Sequence, residues 1–196
     1  ALFALDGELL NVIGTSRGNA PDQMDLPRGV AIAADGTTYV ADTANKRIKA
    51  YSADGQVLWI SDGKHTDTGT QNPDESVDSS ASAAQGPSHE LSLPIGIELD
   101  GSGRLVVTDA FDFSIWVLDP EHDGAYIAHY GEFGQDDGSF IYPSGLAYDA
   151  QRDWFVVADT NMNRAQIVRL PDSGDSLAAN ARRLFVGPVW MCVTPL

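Results

Sequence analysis

The apolar residues of this chain alternate with polar ones or form short β-branched blocks that stop at Asp-Gly and at Pro. Four such blocks occur between residues 29 and 60, namely Gly29–Ala33, Thr38–Ala41, Arg47–Tyr51 and Gln56–Ile60. Alternation with a period of two predicts β-strands, and Asp-Gly between two strands predicts a hairpin because the second turn residue needs a positive φ. The apolar residues show no sustained helical spacing of three and four. The pattern therefore predicts four short antiparallel strands in this segment.

The same order of residues occurs three times. The first copy reads Pro-Arg-Gly-Val-Ala from Pro27 and Tyr-Val-Ala-Asp-Thr from Tyr39. The second copy reads Pro-Ile-Gly-Ile-Glu from Pro94 and Val-Val-Thr-Asp from Val106. The third copy reads Pro-Ser-Gly-Leu-Ala from Pro143 and Val-Val-Ala-Asp-Thr from Val156. Four short strands with tight turns occupy roughly 40–50 residues. A unit of this size cannot bury its own apolar faces, so repeated units stack on a shared core. The repeats predict the four-stranded antiparallel blades of an all-β propeller.

Both ends of the chain interrupt this pattern. Phe3–Gly14 matches the third and outer strands of a blade, Arg183–Val186 matches an outer strand, and Pro188–Val193 matches the inner strand of a further blade. We therefore expect residues 1–196 to form one partial domain with three full blades, half of a fourth and one extra strand. A propeller closes to remove its sheet edges. Either the chain is a piece of a longer protein, which we favour, or the missing strands come from elsewhere.

The repeat resembles the NHL repeat: Pro-x-Gly-Val-Ala, Tyr-Val-Ala-Asp-Thr, Asn-x-Arg-Ile, and then Asp-Gly before an outer strand. NHL members usually form six-bladed β-propellers, so the resemblance implies six blades in the complete domain. The match is strong over Pro27–Ile60, good over Pro143–Val168 and looser over Pro94–Gly131, which lacks the usual Asn and Arg. In the third copy, we expect one extra residue to shift Asn163-Arg164, and Ala165 stands where Ile is usual.

The charge of the chain restricts its partners. It has 12 Lys and Arg against 28 Asp and Glu, a net charge of −16, and 43% hydrophobic residues. A nucleic-acid interface must neutralise several phosphates with cations, so this composition argues against nucleic acid. The acidity fits solubility, attraction of cations or a basic protein partner. The single cysteine, Cys192, excludes an internal disulfide, and its place in a predicted inner strand predicts burial.

Residues Ser61–Glu90 depart from the repeat because they are acidic, rich in Ser and Asp, and almost free of large apolar side chains. They connect the outer strand of one blade to the inner strand of the next. We therefore expect this insertion on the upper face, where the hairpin containing Asp42–Asn45 also lies. A loop of this length in a compact fold is either functional or disordered. It is interpreted as a mobile insertion or as an arm that binds a partner or a cation.

The recurring Asp at the end of each second strand is the candidate site. Asp42, Asp109 and Asp159 can accept N–H groups of the hairpins that they open, and Arg47 and Arg164 can pair with two of them. We expect these pairs to be exposed, and an exposed pair contributes about 0–1 kcal/mol. Alternatively, oxygen ligands from several blades bind a divalent cation such as calcium at the central channel. The candidate cation ligands are Asp42, Asn45, Asp109, Asp112, Asp159, Asn161 and Asn163.

No catalytic residue is assigned. His65, His89, His122 and His129 lack the spacing of metal ligands, and the chain has neither a Gly-x-Ser-x-Gly elbow nor a phosphate-binding loop. Trp59, Trp116 and Trp154 are predicted to pack between blades. The apolar segment Leu184–Leu196 is too short to span a bilayer.

Two function classes follow. The first is a non-catalytic interaction module or scaffold, a subunit of a larger assembly with a protein partner. The second is a hydrolase or lyase that depends on a divalent cation at the channel mouth. We favour the first, because the polar groups do not repeat and no His or Ser nucleophile accompanies them. The acidity and the habit of the family favour an extracytoplasmic location, whether periplasmic, lumenal or secreted.

Overall fold

The computed structural model describes residues 2–3, 6–66, 88–171 and 185–187, which form antiparallel strands joined by turns. Three four-stranded sheets are the blades of a propeller, and each follows the chain from an inner to an outer strand. Blade 1 consists of β3 (Pro27–Ile32), β4 (Thr38–Asp42), β5 (Arg47–Tyr51) and β6 (Val57–Ser61). Blade 2 consists of β9 (Pro94–Leu99), β10 (Leu105–Asp109), β11 (Ser114–Asp119) and β12 (Ala125–Tyr130). Blade 3 consists of β13 (Pro143–Asp149), β14 (Trp154–Asp159), β15 (Arg164–Arg169) and β16 (Phe185–Gly187).

These sheets confirm the all-β propeller prediction and the position of its strands. In blade 1 the inner strand begins at Pro27, two residues before the predicted Gly29, and its pairing with β4 shifts between Pro27 and Val30. No helix in the described part of the chain is long and apolar enough to cross a membrane. The number of blades in the complete domain stays a prediction.

The period of two in each strand divides the core into two interfaces. In β10, Leu105 and Val107 pack between blades 1 and 2, whereas Val106 packs between blades 2 and 3. All five residues of this strand are buried because blade 2 is covered on both faces. Trp116 is fully buried in the first interface, and Trp59 packs against its edge. The predicted packing of these two tryptophans between blades is therefore confirmed.

Neighbouring inner strands approach each other so closely that two repeated glycines have no room for a side chain. A Cβ on Gly29 would lie 2.3 Å from the carbonyl oxygen of Ile95, and one on Gly96 would lie 2.4 Å from that of Ser144. The first contact joins β3 to β9, and the second joins β9 to β13. The three inner strands are therefore adjacent around one axis, as the sequence predicts.

Short strands also occur near both ends of the chain. β1 (Leu2–Phe3) pairs antiparallel with β2 (Leu9–Asn11), and β16 pairs with β15. The predicted inner strand Pro188–Val193, including Cys192, lies outside the described residues.

Antiparallel order places the connections of each blade at two opposite ends. The hairpins 43–46, 110–113 and 160–163 lie at the upper end, together with the connections that lead from one blade to the next. The turns 33–37, 52–56, 100–104 and 120–124 lie at the lower end. Upper and lower are used below in this sense.

Candidate functional site

The upper hairpins of the three blades have one length and one backbone form. Each follows the recurring Asp, continues for three residues and then places one residue in the left-handed region: Lys46 at φ 56°, Phe113 at φ 57° and Asn163 at φ 51°. Arg47 and Arg164 come immediately afterwards. The expected extra residue in the third copy is therefore wrong. Asn163 corresponds to Lys46, and Met162 stands in the position of Asn45.

Asp42 is at the centre of a buried hydrogen-bond network in blade 1. Its carboxylate accepts the backbone N–H of Asp25 at 2.7 Å, the side-chain amide of Asn45 at 2.9 and 3.0 Å, and Nε of Arg47 at 2.8 Å. The other guanidinium nitrogens of Arg47 donate to the carbonyls of Asn19, Ala20 and Gln23. Asp42 is fully buried, so the expectation of an exposed ion pair is wrong. We call this Asp–Arg arrangement, which joins the upper hairpin to the connection before the blade, the clasp.

Blade 3 contains the same clasp. Asp159 accepts the N–H groups of Ile141 and Tyr142 at 3.0 Å each, and Nε of Arg164 donates to it at 3.1 Å. Arg164 also donates to the carbonyls of Gln135, Asp136 and Ser139. The connection that precedes each blade, called its approach below, is therefore held by the same hydrogen bonds from arginine in both copies.

Blade 2 lacks the arginine of the clasp. Asp109 accepts four backbone N–H groups instead, those of Ser92, Leu93, Phe111 and Asp112, at 2.6 to 3.2 Å. Burial raises the pKa of Asp109, and these hydrogen bonds oppose the increase. Asp112 occupies the position of Asn45 and accepts from Ser114 at 2.5 Å and from Nε1 of Trp116 at 2.9 Å.

The candidate cation ligands are therefore not brought together at the channel. The three recurring carboxylates are directed into their own blades, where N–H groups occupy their oxygens. Asn161 and Asn163 are exposed on the hairpin of blade 3. Within the described ranges, no group of three or more His, Cys, Asp or Glu has the geometry of a metal site.

The root of the insertion packs against blade 2. β7 (His65–Thr66) pairs with β8 (Ser88–His89), so the insertion leaves the upper end through a two-stranded ladder, and residues 67–87 lie outside the described part. Gly63 is buried, and a Cβ on it would lie 3.0 Å from the ring of Trp116. The residues nearest the blades are thus an integral part of the packing.

A cluster of histidines and aromatic rings surrounds this root. The His65 ring stacks on Tyr126 with centroids 3.3 Å apart, and His89 and His129 lie 5.2 and 6.1 Å from it. The Tyr126 hydroxyl is 2.9 Å from Nδ1 of His129. Sequence reasoning missed this cluster because its members are far apart along the chain and share no repeat position. His122 lies elsewhere, with Nδ1 2.8 Å from the carboxylate of Asp119.

Comparison with known proteins agrees with the repeat. The chain is 26% identical to NHL repeat-containing protein 3 of Homo sapiens over 175 residues. These residues cover 86% of the chain and 43% of the human protein. The Mus musculus protein of the same name is 25% identical over the same shares. The repeat of the chain is thus similar to that of NHL-repeat proteins. The chain spans less than half the length of these relatives, and no protein-family model matches it.

Two further kinds of similarity cover a shorter part of the sequence or concern the fold alone. The chain is 52% identical over 42 residues to Protein brain tumor of Drosophila melanogaster, covering 21% of the chain and 4% of that protein. Among solved structures, Kuenenia stuttgartiensis hydrazine synthase matches 73% of the chain and 32% of its own chain, with a TM-score of 0.50 and 14% identity. Staphylococcus aureus virginiamycin B lyase matches 88% of the chain and 45% of its own, with a TM-score of 0.48 and 20% identity. At such identities, only the fold is comparable.

The blade without the Asp–Arg clasp is the blade that follows the insertion. In blades 1 and 3, the arginine donates hydrogen bonds to backbone carbonyls of the approach and so holds that short connection against the blade. In blade 2, the approach is the insertion, and its root is held instead by the β7–β8 ladder, Trp116 and the histidine cluster. The upper end therefore contains two repeated approaches and one specialised approach.

Proposed function

We propose that this chain is part of a non-catalytic protein-interaction module, a propeller scaffold within a larger assembly, and that its insertion is the binding arm. The specialised approach of blade 2 carries this proposal. Its root is held by buried packing and a strand ladder, whereas residues 67–87 are acidic and offer little apolar surface to a core. Such an arm is suited to a partner with a basic surface.

The alternative is a cation-dependent hydrolase or lyase at the channel mouth, and it receives less support. It requires carboxylate oxygens that are directed at a shared cation. Asp42, Asp109 and Asp159 instead use their oxygens to accept hydrogen bonds within their own blades. We therefore retain the interaction module.

The test is to replace residues 67–87 in the full-length protein with a short Gly-Asn turn that joins Thr66 to Ser88. This change keeps the β7–β8 ladder. We expect the melting temperature not to fall, because a shorter loop costs less entropy to close, by about 0.6 kcal/mol for each halving of its length. Partners that quantitative mass spectrometry identifies with the parent protein should be lost, and direct binding of a purified partner should disappear.

A second variant separates the arm from its root. Replacing all of 61–90 also removes Gly63, His65 and His89, so we expect it to lower the melting temperature as well. If the shorter replacement retained every partner at the parental affinity, the arm would be a passive insertion and the proposal would fail.

A further inference from the structure

A cleft of about 570 Å³ opens at the lower end of the molecule, between blades 1 and 2. Its walls come from the β3–β4 turn and the outer strand of blade 1, and from the β9–β10 turn and the β11–β12 connection of blade 2. The volume is within the range of small-ligand sites, about 300–1,000 Å³. The insertion and the clasps lie at the opposite end, so this cleft is separate from the function proposed above.

Two carboxylates give the cleft an uncompensated negative charge. Asp35 lines it from blade 1 and Glu121 from blade 2, and the residues that line it include no Lys or Arg. Neither carboxylate has an ion-pair partner among the residues that the structure describes. A third acid, Asp100, is already neutralised, because Nε of Arg104 lies 2.6 Å from its carboxylate.

Asp35 stays ionised at neutral pH. The backbone N–H and the hydroxyl of Thr37 donate to its two oxygens at 2.9 and 3.0 Å and lower its pKa. These bonds use one acceptor position on each oxygen and leave the others available. The carboxylate is thus fixed in place with capacity for further donors.

Tyr39 supplies an independent indication of a ligand. Its side chain is only 7% exposed and its ring packs in the core between the blades, yet it also lines the cleft. No hydrogen bond joins its hydroxyl to any residue in the described ranges. Burial raises the pKa of Tyr39, and the nearby charges of Asp35 and Glu121 add to the increase. A hydroxyl that has no protein partner, on a side chain that is otherwise buried and that lies near two carboxylates, is suited to a ligand that donates hydrogen bonds.

An aromatic surface completes the cleft. The ring of Trp59 lies 5.7 Å from that of Tyr39, with 38° between their planes. The lower connection of blade 2 holds this ring in place, because a Cβ on Gly124 would lie 2.6 Å from it. Aromatic faces attract cations, and a guanidinium both stacks on them and donates to carboxylates.

We propose that this cleft binds an arginine side chain of a partner protein, with the guanidinium between Asp35 and Glu121, against Trp59, and donating to the Tyr39 hydroxyl. A planar guanidinium fits better than an ammonium, because its several donors can reach the carboxylates and the hydroxyl at once. The charge of the whole chain, −16, would also attract a basic partner.

The test uses the full-length protein labelled with 5-fluorotryptophan and titrated with the peptide acetyl-Gly-Arg-Gly-amide. Trp59→Phe assigns the Trp59 resonance, and Trp116 and Trp154 report folding and effects elsewhere. We expect a saturable shift at Trp59 with the arginine peptide, a weaker response with the lysine analogue and none with the norleucine analogue. Binding should weaken as NaCl screens the charges.

Two conservative variants identify the recognising groups. Tyr39→Phe keeps the buried ring and removes the hydroxyl, so we expect about fivefold weaker binding, and Glu121→Gln should weaken binding about tenfold. Glu132→Gln, an equal change at an exposed site in the approach to blade 3, should leave it unchanged. Replacement of residues 67–87 should also have no effect, which separates this site from the arm.

Three results would overturn the proposal. They are the absence of an arginine-dependent shift at Trp59, an equal affinity for the lysine peptide, and equal affinities of the parent and Glu121→Gln proteins.

Discussion

At the scale of single residues, Asp42 combines burial with four accepted hydrogen bonds, including one from Arg47. Asp42→Asn removes the negative charge and replaces one acceptor oxygen with a donor, which leaves the Arg47 guanidinium without its counter-ion. Loss of one partner from a buried ion pair costs about 3 kcal/mol. We therefore expect a decrease of about that size in the free energy of unfolding, measured by urea denaturation.

The same chemical change at an exposed position is the control for Asp42. Asp137→Asn lies on the surface of the approach to blade 3 and should change the free energy of unfolding by less than about 0.5 kcal/mol. Calcium should stabilise the parent and both variants equally if Asp42 only organises its hairpin. A calcium-dependent rise in melting temperature that disappears only in Asp42→Asn would instead support a metal at this position.

At the scale of elements, the contact between inner strands depends on glycine at one repeat position. In Gly96→Ala, the new Cβ would lie 2.4 Å from the Ser144 oxygen and 2.8 Å from Oγ1 of Thr108, so β9 and β13 must separate. Such overpacking costs about 2 kcal/mol. Chemical denaturation should show this loss for Gly96→Ala.

Gly145→Ala is the matched control, because Gly145 has the same repeat position in blade 3. Among the described residues, its added Cβ would meet only the Ala158 side chain at 3.4 Å, an ordinary contact. We expect a change of less than about 1 kcal/mol. Equal losses for the two variants would show that the close approach of the inner strands does not explain these glycines.

At the scale of the whole molecule, 28 acidic residues repel one another with only 12 Lys and Arg to compensate. Salt screens this repulsion, since the Debye length falls to about 10 Å at 0.1 M. We expect the melting temperature to rise by about 3 °C, near 1 kcal/mol, between 10 and 300 mM NaCl.

Choline chloride distinguishes screening from ion binding in this measurement. At equal ionic strength it should stabilise the chain as much as NaCl does. A melting temperature that stays constant or falls with either salt would contradict the repulsion argument.

The sequence by itself determined the strands, the blade repeat and the upper hairpins. These features follow from local rules: alternation of apolar residues, turn residues with a suitable φ, and an Asp placed to accept N–H groups near it in the chain. The positions of β3 to β6 could be predicted to within about two residues for this reason. The size of the repeat likewise indicated stacked blades.

The tertiary structure alone decided which surfaces meet. The burial of Asp42 depends on carbonyls of the preceding connection, which pack over Arg47. The histidine cluster joins the root of the insertion to β12, and the cleft at the lower end joins a turn of blade 1 to a connection of blade 2. The residues of the histidine cluster and of the cleft share no repeat position, so the repeat of the sequence does not predict them. They form because stacking blades brings distant turns together, and this stacking depends on the shape of both partners.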